Sequence, residues 1–133
     1  MKRATILGVL LLLATIAFAA DETPVPEPTQ DPDAPYRLFR TLNIYTLLKL
    51  DTRTGQIWQV QWGDENHRFT VPLSTAILLS ASTKEHPTIA KPGRFTLCPT
   101  ENIYTFVLLD QEDGRTWQIQ WGDEKKRLIW VIE

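Results

Sequence analysis

Asn43-Ile44-Tyr45-Thr46 returns as Asn102-Ile103-Tyr104-Thr105, and the offset of 59 residues then holds without a gap. Leu50-Asp51 returns as Leu109-Asp110, and Gly55 as Gly114. Trp58-Gln59-Val60-Gln61-Trp62-Gly63-Asp64-Glu65 returns as Trp117-Gln118-Ile119-Gln120-Trp121-Gly122-Asp123-Glu124, and Arg68 matches Arg127. Between Asn43 and Leu73, 15 of 31 aligned positions are identical, which marks a true duplication. Whatever fold the chain adopts must be built from two copies of one small unit.

Each copy reads as strands. Trp58, Val60 and Trp62 alternate with Gln59 and Gln61, and Trp117, Ile119 and Trp121 alternate with Gln118 and Gln120. A strict period of two between large apolar and polar residues is a half-buried strand. Residues 44–50 and 103–109 are rich in β-branched and aromatic residues and predict a strand before it. The second of these is apolar on both faces and predicts a central strand covered on both sides. Asp51 to Gly55 and Asp110 to Gly114 predict hairpin loops, in which the Asp accepts turn amides and the Gly supplies a positive φ. A third strand is expected at 68–73 and 127–132, and a short leading strand at 36–39 and 94–97.

A unit of about 40 residues rarely holds a core alone. The copies are therefore expected to share one, across an approximate two-fold axis. The fold class is all-β: two pseudo-symmetric antiparallel meanders of three to four strands forming one sandwich or barrel. Four strands are also the size of a propeller blade, but two blades cannot close a ring. Trp58, Trp62, Trp117 and Trp121 are the expected core, with the glutamines on the opposite face. The repeats span 36–73 and 93–133 and the connector 74–92, where 76–79 fits a helical turn or an extra strand.

The repeated N-I-Y-T, L-D and G-x-x-W-Q-x-Q-W-G strings resemble those of a group of uncharacterised small exported bacterial proteins carrying one or two such repeats. The likeness covers Tyr36 to Glu133. It implies no activity and supplies no catalytic residue. In that group an aromatic residue often stands at the position of Cys98, which weakens a special role for this thiol.

Residues 1–19 have the three-part pattern of a secretory signal peptide: Lys2 and Arg3, an apolar run from Ala4 to Ala17, and Ala17-Phe18-Ala19 at the cleavage site. The run is short for a membrane span, so no span is expected after removal. Residues 20–35 form an acidic linker with five prolines. Export to the periplasm or the exterior follows. The body from Tyr36 on holds 12 bases and 11 acids, and this near-neutrality offers no footprint for nucleic acid. The single cysteine, Cys98, cannot form an internal disulfide and is expected as a small buried hydrophobe.

Little in the chain demands a chemistry. Asp64, Glu65 and His67 could be read as metal ligands, but the repeat partner carries Lys125 and Lys126 where ligands would be needed. His86 lies in the connector. Asp51 and Asp110 are repeated carboxylates that turn capping explains. No catalytic residue, cofactor or metal site is therefore expected. The leading reading is a non-enzymatic binding or interaction module, with contacts at Gln59, Gln61, Gln118, Gln120 and Trp130. Self-association or a protein partner is expected through the apolar terminal strand 128–132. Two alternatives stand beside it: an inhibitor or immunity-type protein for a secreted enzyme, and a glycan-binding module using exposed Trp.

Overall fold

The computed structural model describes residues 30–73 and 91–132. Residues 1–29, which hold the expected signal segment 1–19 and most of the expected linker, residues 74–90 of the connector with His86, and Glu133 lie outside the described residues. No helix among the described residues is long and apolar enough to cross a membrane.

Each repeat forms a four-stranded antiparallel meander. The first comprises β1 (Tyr36–Arg40), β2 (Thr46–Asp51), β3 (Ile57–Gln61) and β4 (Phe69–Pro72). The second comprises β5 (Phe95–Pro99), β6 (Thr105–Asp110), β7 (Thr116–Gln120) and β8 (Leu128–Ile132), with a 3-10 turn at Glu124–Lys126 before its last strand. The two sheets do not close into a barrel. Pro72 and Pro99 sit in the edge strands β4 and β5, where a missing N–H costs no ladder bond.

The turns explain much of the repeated sequence. Asn43 Oδ1 accepts the Tyr45 N–H at 2.8 Å, and the Thr41 hydroxyl donates to the Thr46 carbonyl at 2.9 Å. Asn102 and Thr100 make the same bonds to Tyr104 and Thr105, both at 2.9 Å. The N-I-Y-T string is thus turn chemistry between the first two strands of each sheet. Asp51 and Asp110 cap the following hairpin: Oδ1 accepts the Arg53 N–H at 2.9 Å and the Glu112 N–H at 3.0 Å. Gly55 and Gly114 close it with φ of 76° and 78°, in the left-handed region that favours glycine.

Strand pairing is the same in both sheets, shifted by the repeat length. Leu47 faces Val60 as Phe106 faces Ile119, and Gln59 faces Val71 as Gln118 faces Trp130. Each meander therefore has two comparable surfaces. One bears Trp58, Val60 and Trp62, or Trp117, Ile119 and Trp121, and is here termed the Trp face. The other bears Gln59 and Gln61, or Gln118 and Gln120, and is the Gln face.

The sheets bury opposite faces. The second sheet turns its Trp face inward: Phe95, Leu97, Phe106, Leu108, Trp117, Ile119 and Trp121 are all buried. The first sheet turns its Gln face inward: Leu48, Leu50, Ile57, Gln59 and Leu73 are buried, with Phe39 packed beside them. An approximate two-fold would bury the same face of both copies, so that expectation is corrected: the sheets stack face to back. The expected core is corrected with it. Trp117 and Trp121 are 5% and 4% exposed, but Trp58 is only half-buried and Trp62 is 52% exposed.

Side-chain volume and charge account for the choice. On the Gln face, the first repeat has Phe39, Leu48 and Ile57 where the second has Cys98, Val107 and Thr116. On the Trp face, the first repeat has Arg40 and Lys49 where the second has Pro99 and Leu108. Burying an uncompensated lysine is costly, and each large aliphatic side chain buried stabilises by about 1.5–3 kcal/mol. Both differences drive the first repeat to turn the other way. Cys98, on the outer Gln face of β5, is exposed rather than buried. The strand β6 is central in its sheet, but only its Trp face is fully covered; Val107 and Leu109 remain half-buried.

Candidate functional site

The two sheets are joined by polar contacts that surround the dry core. Gln59 reaches from β3 across the gap, where its Oε1 accepts the Gly122 N–H at 3.1 Å and Arg127 Nε at 3.4 Å. Arg127 Nε also donates to the Gly122 carbonyl at 2.9 Å. Gln59 is 4% exposed, so the alternation of Trp and Gln that reads as core and surface is inverted at this strand. At the other end, the Phe95 N–H donates to the Thr52 carbonyl at 2.8 Å and the Gly93 N–H to the Thr52 hydroxyl at 3.0 Å.

Beside the Gln59 bridge the sheets part into a cleft of about 410 Å³. That lies within the ordinary range of small-molecule sites. The first sheet supplies Asn43 from a loop and Gln61 from β3. The second supplies Tyr104 from the β5–β6 loop and Asp123, Lys126 and Arg127 from the β7–β8 turn. The Tyr104 ring stacks at a tilt of 52° on Trp121, 5.1 Å between centroids. Trp121 is fixed in turn by its indole N–H, which donates to the Ile103 carbonyl at 3.0 Å. Tyr104 remains 47% exposed, so part of a firmly seated aromatic ring borders the opening. Among the described lining residues Asp123 is the only carboxylate, with Lys126 Nζ 3.7 Å from it.

A smaller hollow of about 300 Å³ lies on the other side of the first sheet, lined by Tyr45, Gln61, Trp62, Gly63, Asp64 and His67. Tyr45 stacks on Trp62 at 5.3 Å as Tyr104 does on Trp121. Asp64 Oδ1 sits 2.6 Å from His67 Nδ1 and also accepts the Asn66 N–H. Among the described residues no group of three or more His, Cys, Asp or Glu side chains is placed to hold a metal ion.

The remaining charged groups serve the fold. Arg94 and Asp110, 2% and 0% exposed at their side chains, form a bidentate pair with Nη2–Oδ2 of 2.6 Å and Nε–Oδ1 of 3.0 Å. Burial pushes the Asp110 carboxyl up, but bonds from the Arg94 guanidinium and the Glu112 N–H outweigh it and hold the carboxyl below the ordinary range. Asp51 is lowered in the same way, burial being outweighed by the side chain and N–H of Arg53. Neither carboxylate faces the cleft.

Of the contact residues read from the sequence, Gln59 and Gln61 border the cleft, Gln59 as the bridge between sheets. Gln118 and Gln120 lie half-buried on the outer face of the second sheet, and Trp130, paired opposite Gln118, is 64% exposed. The structure does not bring these three into the cleft. Asn43, Tyr104, Asp123, Lys126 and Arg127 were not singled out for binding. The identical Asn, Tyr, Gly-Asp and Arg positions of the repeats were the available signal. Comparison of the chain with family models, with curated proteins and with solved structures gives no match.

Proposed function

We propose that the protein is an exported, non-enzymatic binding module that takes a saccharide in the cleft between its sheets. The observation that carries this is the pairing of a half-exposed, well-anchored aromatic ring, Tyr104, with amide and charged groups around one opening. A sugar has apolar ring faces and equatorial hydroxyls. The first suit an aromatic surface, and the second suit the Gln61 amide, Asp123 and Lys126. Gln59 Oε1 and Arg127 Nε are engaged with each other and tie the two walls together at one end of the cleft. The basic start and apolar run of residues 1–19 support export.

Glycan arrays followed by titration calorimetry test the reading. A bound oligosaccharide is expected, with affinity about tenfold weaker in Tyr104→Ala and in Gln61→Ala, a change of about 1.4 kcal/mol each. Absence of saccharide binding, or binding indifferent to both substitutions, overturns it.

A further inference from the structure

A face-to-back stack leaves two different surfaces open. One is the Trp face of the first sheet: Tyr36, Leu38 and Trp62 are 52%, 41% and 52% exposed. The other is the Gln face of the second sheet: Cys98 and Trp130 are exposed, with Val107, Leu109 and Gln118 half-buried. These are the repeat counterparts of the two faces already packed together inside the chain. The molecule therefore carries, on its opposite sides, the two halves of its own internal interface.

The polar contacts of that interface are duplicated too. Internally, Gln59 accepts from Gly122 and Arg127. Their counterparts are Gln118 on one outer surface and Gly63 and Arg68 beside the other, all three identical in type. The second main-chain contact also has a counterpart. Phe95 N–H meets the Thr52 carbonyl, so Tyr36 N–H would meet the Gln111 carbonyl. By the pairing alternation the Tyr36 N–H points away from β2 on the outer edge of β1, where the Gln30 side chain already bonds the main chain of Leu38 two residues on. The contact from Gly93 to the Thr52 hydroxyl has no exact counterpart, since Gln111 stands at that position. Two cations stand on the face to be covered: Lys49 replaces Leu108, but its ammonium lies 4.5 Å from the centroid of the Trp58 ring and its aliphatic stem lines the surface, while Arg40, in place of Pro99, stands at the last position of the edge strand β1, on the border of the face. Opposite it, Cys98 and Val107 are smaller than Phe39 and Leu48, which leaves room for that longer side chain.

We propose that copies of this chain dock head to tail, the Gln face of one second sheet on the Trp face of the next first sheet, and close into a ring. The contact is heterologous, so it must either close or grow without limit. Four-stranded sheets stacked face to back around an axis form closed propellers of about four to eight blades, which corresponds to two to four chains at two sheets each. Closure also removes both exposed apolar faces at once. It places Tyr45, Trp62, Asp64 and His67 across from Asn102 and Gln120 of the neighbour, completing a second cleft where the 300 Å³ hollow now stands. The assembly does not depend on the saccharide reading, because its test is mass.

Light scattering coupled to size exclusion, with native mass spectrometry, is run on the purified chain up to about 100 µM, where a contact of micromolar affinity is saturated. A single mass of two, three or four chains is expected. Val107→Glu blocks one face and Trp62→Glu the other, so each alone gives monomer. Mixed, they give a two-chain species and nothing larger, because one intact pair of faces remains. Cys98 is alkylated slowly in the wild type and rapidly in Val107→Glu. Should either glutamate unfold the chain, Gln118→Ala and Arg68→Ala serve instead, each expected to weaken assembly about tenfold. A monomeric wild type, an unlimited series of masses, an oligomer that survives these substitutions, or a mixture that yields no two-chain species overturns the proposal.

Discussion

The inversion of faces between two sheets of the same sequence can be tested by substituting repeat-equivalent residues in pairs. In the Val107→Glu background, in which the proposed docking is expected to be blocked, Trp121→Ala is compared with Trp62→Ala, and Gln59→Ala with Gln118→Ala. A tryptophan withdraws about 200 Å² from water when fully buried, or roughly 5 kcal/mol as an upper bound at 25 cal/mol per Å². Trp121 is 4% exposed and its indole N–H satisfies the Ile103 carbonyl, so its removal leaves a cavity and an orphaned acceptor. A cost of about 3–5 kcal/mol follows. Trp62 is 52% exposed and leaves no closed cavity, so about 1–2 kcal/mol is expected. The glutamines reverse the order of the repeats. Gln59→Ala leaves the Gly122 N–H without its acceptor and opens a gap between the sheets, while Arg127 Nε keeps its bond to the Gly122 carbonyl, so about 1–2 kcal/mol is expected, whereas Gln118→Ala should stay within about 0.5 kcal/mol. The assay is urea unfolding followed by far-UV circular dichroism, with constant m as the sign of an unchanged mechanism. Equal costs within each pair, or a larger cost at Trp62 than at Trp121, would refute the face-to-back arrangement.

Other expectations rest on local geometry. Arg94→Met leaves the Asp110 carboxylate buried without its main partner and should cost about 3–5 kcal/mol in urea unfolding. Arg53→Ala takes both side-chain donors from the buried Asp51 carboxylate, but the arginine is 35% exposed and water can enter in its place, so a smaller cost of about 1–2 kcal/mol is expected by the same measurement. Asp110 and Asp51 have folded-state pKa values below their unfolded ones, so the stability they contribute is complete above the unfolded value of about 4. It is lost as the pH falls from there through the folded values; thermal unfolding from pH 7 to 2 should show a flat region and then a decline, less steep in Asp110→Asn. Gly114 has φ of 78° with open space where a Cβ would stand, so Gly114→Ala should cost only the backbone term, about 1–2 kcal/mol in thermal unfolding.

The strands and turns were legible because their signals are local. Alternation fixed β3 and β7, and the Asp and Gly of each hairpin loop stand where the sequence places them. Observed boundaries differ by one or two residues, as at β2, which begins at Thr46 once Asn43 and Tyr45 are used in the turn. Which face goes inward was harder to see, because identical Trp and Gln residues in both repeats suggest identical roles. The deciding signal lay in the residues that differ: Lys49 against Leu108, and Ile57 against Thr116. The exposure of Cys98 follows from the same point, since it occupies the outward copy of the position Phe39 fills inside. The cleft was not legible, because its residues come from turns of two sheets whose juxtaposition no local pattern encodes.

Why such a chain stacks face to back follows from what each meander carries. A sheet with indoles on one side and leucines among its glutamines on the other is apolar on both sides. A two-fold sandwich of two such sheets would bury one face of each and present two copies of the same remaining face to water. Those copies would be alike, and nothing in the internal contact would tell them how to be covered. Stacking front to back instead leaves one face of each kind, complementary by construction, and the internal contact specifies the geometry of the next one. The replacements in the first repeat, Lys49 and Arg40 above all, then temper an outer face that would otherwise be as apolar as the core it copies. An exposed apolar sheet face is a hazard for a lone protein and a docking surface for an assembling one. The retention of Gln118, Gly63 and Arg68, which share no contact among the described residues, favours the second.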